Sequence, residues 1–368
     1  MAIAFVDRTA LTMSDDQRTR GLVDPAALGR WMDAQPLPCR GEPITTRFIT
    51  GGASNELFEI RRGDARYALR RPPRVVPKGR NDTMLREQRV LAALRDTDVP
   101  HSRVAAVCSD PSVIGACFYL MDFVDGWSPM STGKTWPAPF DHDLTARQGL
   151  AFELVEGIAK LARVDWRARG LDGFGKPDGF HERQVDRWYA HLKPFKFREL
   201  PGLDEAGTWL RRIKPSEYQP GIIQGDYPFA NVMFHHGGPA RLAAIVDWEM
   251  ATIGDPLLDL GWVLMGWPNP DEPSNAMSYV DYTGMPGREA LMQRYAQVSG
   301  LPVDEIDYYV VLARFKIAIV LEGGYARYVQ GGADNPKMAA FGDVVLEMAR
   351  NAASLTRTTR LGARTTAC

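Results

Sequence analysis

Cysteine is scarce and unpatterned in this chain. Its four cysteines, Cys39, Cys108, Cys117 and Cys368, show no C-x-x-C spacing. That excludes a disulfide framework or a zinc ribbon and fits reduced thiols in a cytoplasmic protein. The six histidines form neither H-x-x-x-H nor H-E-x-x-H, so no helical zinc-hydrolase site is expected. Long apolar runs are missing too, since no stretch of about 18 apolar residues could cross a membrane. The first residues lack a basic stretch followed by an apolar one, so no signal peptide is expected. Neither charge dominates: 44 Lys and Arg against 45 Asp and Glu leave a formal net charge of −1. A nucleic-acid footprint would need a clustered basic excess. No G-x-S-x-G elbow occurs, no G-x-G-x-x-G follows a strand pattern, and no internal repeat is found.

What is present is ample core material, 45% hydrophobic over 368 residues, which suits two domains. After a polar leader over 1–20, Asp24-Pro25 reads as the start of a helix over 25–34. Three short strands follow at 45–50, 57–61 and 66–69, joined by a small-residue turn over 51–55 and by Gly63-Asp64. A turn such as Gly51-Gly52-Ala53-Ser54-Asn55 lets backbone N–H groups approach a phosphate, although most such turns are only turns. An amphipathic helix is predicted at 84–94, and strands at 104–108 and 118–124. Beyond these the pattern turns helical, at 144–163, 183–192, 203–213, 256–265, 288–298, 303–322 and 341–353.

Residues 222–260 carry the chemistry. Two apolar strand-like runs each lead to an aspartate, Asp226 and Asp247, and Asn231 stands five residues after Asp226. Each aspartate alone would read as a turn former. Together, two carboxylates and a carboxamide from strand ends are hard oxygen donors of the kind Mg²⁺ takes alongside substrate phosphates. Protein kinases use the same order: a catalytic Asp, an Asn on Mg²⁺, and a later Asp on Mg²⁺.

QGDYPFANVMF followed by IVDWEMATIGDPLLDLG resembles the aminoglycoside phosphotransferase (choline-kinase-like) family. It is most similar to the branch associated with acyl-CoA dehydrogenases. Gln224 stands where the family pattern has a histidine that braces the loop. The resemblance implies an α+β, protein-kinase-like fold with a small antiparallel N-lobe and a larger, mainly helical C-lobe. The expected division is a leader and helix over 1–40, a nucleotide lobe over 41–122, and a catalytic and acceptor lobe over 123–368.

The resemblance also implies roles. Asp226 would be the catalytic base, and Asn231 and Asp247 would hold Mg²⁺. Arg70, from a Y-x-L-R-x-P-P pattern, would steady the nucleotide phosphates, braced by the helix residue Glu87. From the residues alone, Arg70 and Arg71 could equally be a solvated strand end, and Glu87 an exposed helical partner. Gly52, Ser54 and Asn55 would cover the phosphates, and backbone groups near Met121 and Phe123 would meet the adenine edge. The implied reaction uses ATP or GTP and a small-molecule hydroxyl acceptor, a hydroxyacyl compound or an aminoglycoside. The other reading is an inactive kinase-like nucleotide- or ligand-binding protein. Oligomeric state is left open.

Overall fold

Side-chain alternation along the first strands decides which face of their sheet is dry. The computed structural model describes residues 21–51, 55–132, 135–269, 280–331 and 337–361. The chain begins with α1 (Pro25–Asp33), β1 (Ile44–Gly51), β2 (Glu56–Arg62) and β3 (Ala65–Arg71). Then come α2 (Arg80–Ala93), β4 (Val104–Cys108) and β5 (Phe118–Asp122). The five strands form an antiparallel sheet in the order β1-β2-β3-β5-β4. Its register sets Phe48 opposite Phe58, Phe58 opposite Leu69 and Leu69 opposite Leu120, so these four share one face. Leu28 and Met32 of α1 cover that face, and the Trp31 ring meets Phe118 edge-on at 4.8 Å. Asp24 caps α1 by accepting the Ala26 N–H at 2.8 Å.

The same alternation sends Arg47, Glu59, Arg66, Arg70, Tyr119 and Met121 to the other face. Glu59 is buried there among arginines, 2.6 Å from Arg47 and 2.7 Å from Arg61, with Arg66 bonded as well. Burial would raise its carboxyl, yet hydrogen bonds from Arg66 and Arg47 hold it down to about 2. Glu59 therefore adds stability at pH values above its ordinary 4.5 and loses it as pH falls toward about 2. Urea melts of Glu59→Gln are expected to show a flatter acid limb across that window than the parent. An identical limb would mean the arginines do not hold the carboxylate.

Beyond β5 the chain adds α3 (Leu144–Ala162), α4 (Phe180–Leu192), α5 (Leu203–Arg212) and β6 (Gly221–Ile223). A hairpin of β7 (Val232–Phe234) and β8 (Leu242–Ile245) follows, then β9 (Thr252–Gly254). The last elements are α6 (Leu257–Met265), α7 (Arg288–Ser299), α8 (Ile306–Val329) and α9 (Lys337–Thr358). Contacts divide the chain into two compact units. The first takes the described residues through Ala146, with Asp165–Asp172 and Phe229–Ala251; the second takes Arg147–Val164, Gly173–Pro228 and the chain from Thr252 onward.

In the first unit Trp127 fastens the β7–β8 hairpin. Its N–H donates to the Phe234 carbonyl at 2.9 Å, and its ring stacks on Phe234 at 5.3 Å. Gly126 permits this approach, since a Cβ there would lie 2.5 Å from the Phe234 oxygen. In the second unit α8 is buried nearly all round and packs against α4, α5, α6 and α9.

The predicted helix over 303–322 runs seven residues further, to Val329. Gly323-Gly324 reads as a stop signal in the sequence. Instead, the Phe195 and Phe341 rings lie against these glycines, where a Cβ would come within 3.0 and 3.1 Å. Burial against those rings offsets the helix cost of glycine, about 1 kcal/mol each. The helix predicted from 84 starts at Arg80, because its polar first turn carries no apolar period.

Candidate active site

Arg70 lies on the polar face of β3 and joins three elements of the first unit. Its Nε donates to Glu87 of α2 at 2.7 Å, and its Nη2 donates to Asp247, two residues past β8, at 2.9 Å. The Tyr119 hydroxyl donates to the same Glu87 oxygen at 3.1 Å. Glu87 is 1% exposed, which overturns its reading as an exposed helical partner. Arg71 is no solvated strand end either: it is buried and donates to the carbonyls of Leu22, Pro72 and Ile114. Burial alone would lower the Arg70 pKa; Glu87, Tyr119 and Asp247 outweigh it and drive it up. The guanidinium is a planar fork, and it reaches the two carboxylates through different nitrogens.

The hairpin brings Asn231 beside Asp247. Val232 pairs with Ile245, and the Val246 N–H donates to the Asn231 carbonyl at 2.9 Å. Asn231 is buried, and Asp247 sits in the left-handed region with φ 59°. Such a backbone in a non-glycine residue costs of order 1 kcal/mol and concentrates at functional sites. Among the described residues no group of three or more His, Cys, Asp or Glu could hold a metal. A carboxylate with a neighbouring carboxamide is still a fit donor set for Mg²⁺, which draws its other ligands from water and phosphate oxygens.

Asp226 belongs to the second unit, three residues before the chain passes into the first at Phe229. Its loop is held by backbone hydrogen bonds. Asp259 of α6 accepts the Gln224 N–H at 2.6 Å and the Gly225 N–H at 2.8 Å. Gly225 has φ +87°, a turn that a side chain would strain. The Gln224 side-chain oxygen accepts the Asp226 N–H at 2.8 Å, so the residue in the histidine's place is itself a brace. Tyr227 is fully buried and anchors the next turn by donating to the Leu154 carbonyl at 2.9 Å. Burial raises the Asp259 carboxyl to about 6, against the pull of the Gly225 and Gln224 N–H groups.

The remaining predicted residues fall as follows. Met121 lies on β5 opposite Ala68, on the face that carries Arg70. Phe123 follows β5; its N–H donates to the Arg66 carbonyl at 3.4 Å, and the Arg66 guanidinium covers its ring at 3.5 Å. Asn55 stands half-buried just before β2, while Gly52 and Ser54 lie outside the described residues. The structure thus joins Arg70, Glu87 and Asp247, and sets Asn231 beside Asp247. Sequence reasoning missed Tyr119, because its place opposite Arg70 is set by the pairing of β3 with β5, which no local pattern announces. Nor did it single out the two buried cations in the middle of α8, Arg314 and Lys316.

The human Acyl-CoA dehydrogenase family member 11 is 28% identical over 329 residues, covering 87% of this chain but 41% of that relative. The chain therefore spans about two fifths of that relative's length. A solved structure from Ralstonia eutropha, described as a candidate aminoglycoside phosphotransferase, is 30% identical with TM-score 0.78, covering 91% of this chain and 98% of the other. An aminoglycoside phosphotransferase solved in ternary complex with ADP and hygromycin B shares the kinase-like fold at 13% identity, with TM-score 0.54 over 86% of this chain and 94% of the other. The model of the phosphotransferase enzyme family matches residues 45–295, a span that holds both the Arg70 ion pairs and the Asp226 loop, and the chain belongs to that family.

Proposed function

We propose that this protein transfers the γ-phosphoryl group of ATP or GTP to a hydroxyl of a small metabolite, with a hydroxyacyl compound favoured over an aminoglycoside. The observation that carries the reading is the buried bridge from Arg70 to Glu87 and Asp247, built on the face that also bears Met121. In this reading residues 41–122 handle the nucleotide, residues 123–368 carry the catalytic loop and the acceptor, and the setting is cytoplasmic. Arg70, held in place by Glu87, steadies the nucleotide phosphates. Asn231 and Asp247 would hold Mg²⁺, which neutralises charge on the phosphate oxygens when bound. Asp226 orients the acceptor hydroxyl. The hydroxyl oxygen bonds to the γ-phosphorus, the bond to the β–γ bridging oxygen breaks, the nucleoside diphosphate leaves, and the hydroxyl proton passes to Asp226.

Calorimetric titration with ATP and GTP, each with and without Mg²⁺, tests this directly. Mg²⁺-dependent binding of one nucleotide is expected, together with nucleoside diphosphate release that needs a hydroxyl compound. Binding of neither nucleotide would leave a kinase-like fold used as a ligand-binding module.

A further inference from the structure

The segment that follows Asp247 is gripped from α2 as well as from Arg70. Arg80, the first residue of α2, donates from Nη1 to the Glu249 carboxylate at 3.0 Å, across 169 residues of sequence. The Glu249 side chain is 4% exposed and that of Arg80 21%, so the pair is largely withdrawn from water. Arg86 of the same helix donates to the Ala251 carbonyl at 3.1 Å. These bonds meet the chain two and four residues past Asp247, on and just after a single 3₁₀ turn over Trp248–Met250. Trp248 anchors that turn from within: it is buried, and its indole N–H donates to the Ile245 carbonyl at 3.0 Å.

An exposed ion pair would contribute little here, but a carboxylate taken out of water depends on the charge that faces it. Glu249 therefore ties its turn to the place where Arg80 stands. The left-handed backbone of Asp247 persists only if its surroundings hold it. Arg70 is poorly suited to that task, since its bond ends on the very carboxylate that is to meet Mg²⁺, and its guanidinium is to meet phosphates. Arg80 and Arg86 hold the segment by groups outside that bridge. Both carboxylates of the Arg70 bridge thus trace back to α2: Glu87 stands on it, and Asp247 is tied to it through Glu249 and Ala251. Arg80 and Glu87 are seven residues apart, two helical turns or about 10 Å along the axis.

We propose that Arg80 and Glu249 form a positioning clamp through which α2 sets where the Asp247 carboxylate stands, and with it the Mg²⁺ requirement of the site. This rests on the phosphotransferase reading above and adds two positioning residues to it. In this role neither residue touches nucleotide, acceptor or metal.

The test uses the full chain and reads two quantities. The first is the Mg²⁺ concentration that half-saturates binding of ATP or GTP, by calorimetry. The second is amide hydrogen exchange over residues 246–251 in protein free of metal and nucleotide, where the Val246 and Ala251 N–H groups are bonded. Arg80→Met is expected to raise the Mg²⁺ midpoint about 10-fold, the lower end of the cost of removing a support behind a metal ligand. Exchange over 246–251 should become several-fold faster, with β1 and β2 unchanged. Arg80→Lys keeps a cation and should recover part of both. Glu249→Gln should move both quantities the same way, and adding it to Arg80→Met should change them little further. Arg89→Met is the control: it loosens α2 where Arg89 donates to the Gly170 and Asp172 carbonyls, and should leave the midpoint where it is. An unchanged midpoint or unchanged exchange in Arg80→Met overturns the clamp. So does full additivity of the two substitutions, or an equal midpoint shift in Arg89→Met, which would make the pair one more general tie on α2. Should Arg80→Met fold poorly, Arg80→Lys and Glu249→Gln carry the same comparison. Failure of the parent to bind either nucleotide with Mg²⁺ would instead remove the phosphotransferase reading, and the exchange comparison alone would then decide the clamp.

Discussion

The Asp226→Asn protein is expected to bind Mg·ATP as the parent does and to turn over about two to four orders of magnitude more slowly, the usual contribution of a positioned general base. The loop around the residue explains why the two readouts should separate. The Asp226 N–H is fixed by the Gln224 side-chain oxygen, and the preceding two N–H groups are fixed by Asp259. None of these bonds uses the Asp226 carboxylate. The substitution therefore keeps the backbone and the volume and removes the basicity. Calorimetry would read the nucleotide affinity, and a single-turnover assay the chemical step. Turnover within a few-fold of the parent would take Asp226 out of the mechanism.

Removing Glu87 is expected to be the most damaging single change in the first unit. In Glu87→Ala, Arg70 keeps only Asp247 among its two carboxylate partners, and the buried Tyr119 hydroxyl loses its acceptor. Breaking a buried pair from one side leaves an uncompensated charge, which costs about 3–5 kcal/mol. Urea denaturation would measure that loss. Nucleotide affinity should fall with it, because the freed guanidinium no longer holds one orientation. Glu87→Gln, which keeps an acceptor oxygen but not the charge, should lose less stability than Glu87→Ala. A loss below about 1 kcal/mol in Glu87→Ala would place the pair with ordinary surface ion pairs and weaken the role given to Arg70.

Much of the fold was legible because it is written in local patterns. The period of two in β1 to β3, the Asp24-Pro25 start of α1, and the apolar runs before Asp226 and Asp247 each point to one structure without distant information. The order Asp226, Asn231, Asp247 was legible for the same reason. What stayed hidden depends on contacts remote in sequence. Burial of Glu87 follows from Arg70 and Tyr119, which come from two other strands. Gly323-Gly324 reads as a stop until Phe195 and Phe341 arrive from other elements. Lys316 carries no local mark of the Trp188 and Trp262 rings that it meets, since these stand on helices far away in the chain.

Gln224 has one further consequence, through what it cannot do. An imidazole in that position could change its charge near neutrality, whereas an amide has no proton to gain. Of the three hydrogen bonds described above to the backbone of residues 224–226, two end on a titratable acceptor, Asp259, whose carboxyl burial raises from 3.8 to about 6. Between those two values the folded chain binds more protons at Asp259 than the unfolded chain, so this group favours folding more as the solution becomes more acid. Over the same interval the charged acceptor that grips the Gln224 and Gly225 N–H groups is neutralised. Mild acid thus pulls two properties apart at a single side chain: the chain is held folded more firmly while the loop that aims Asp226 is held less firmly.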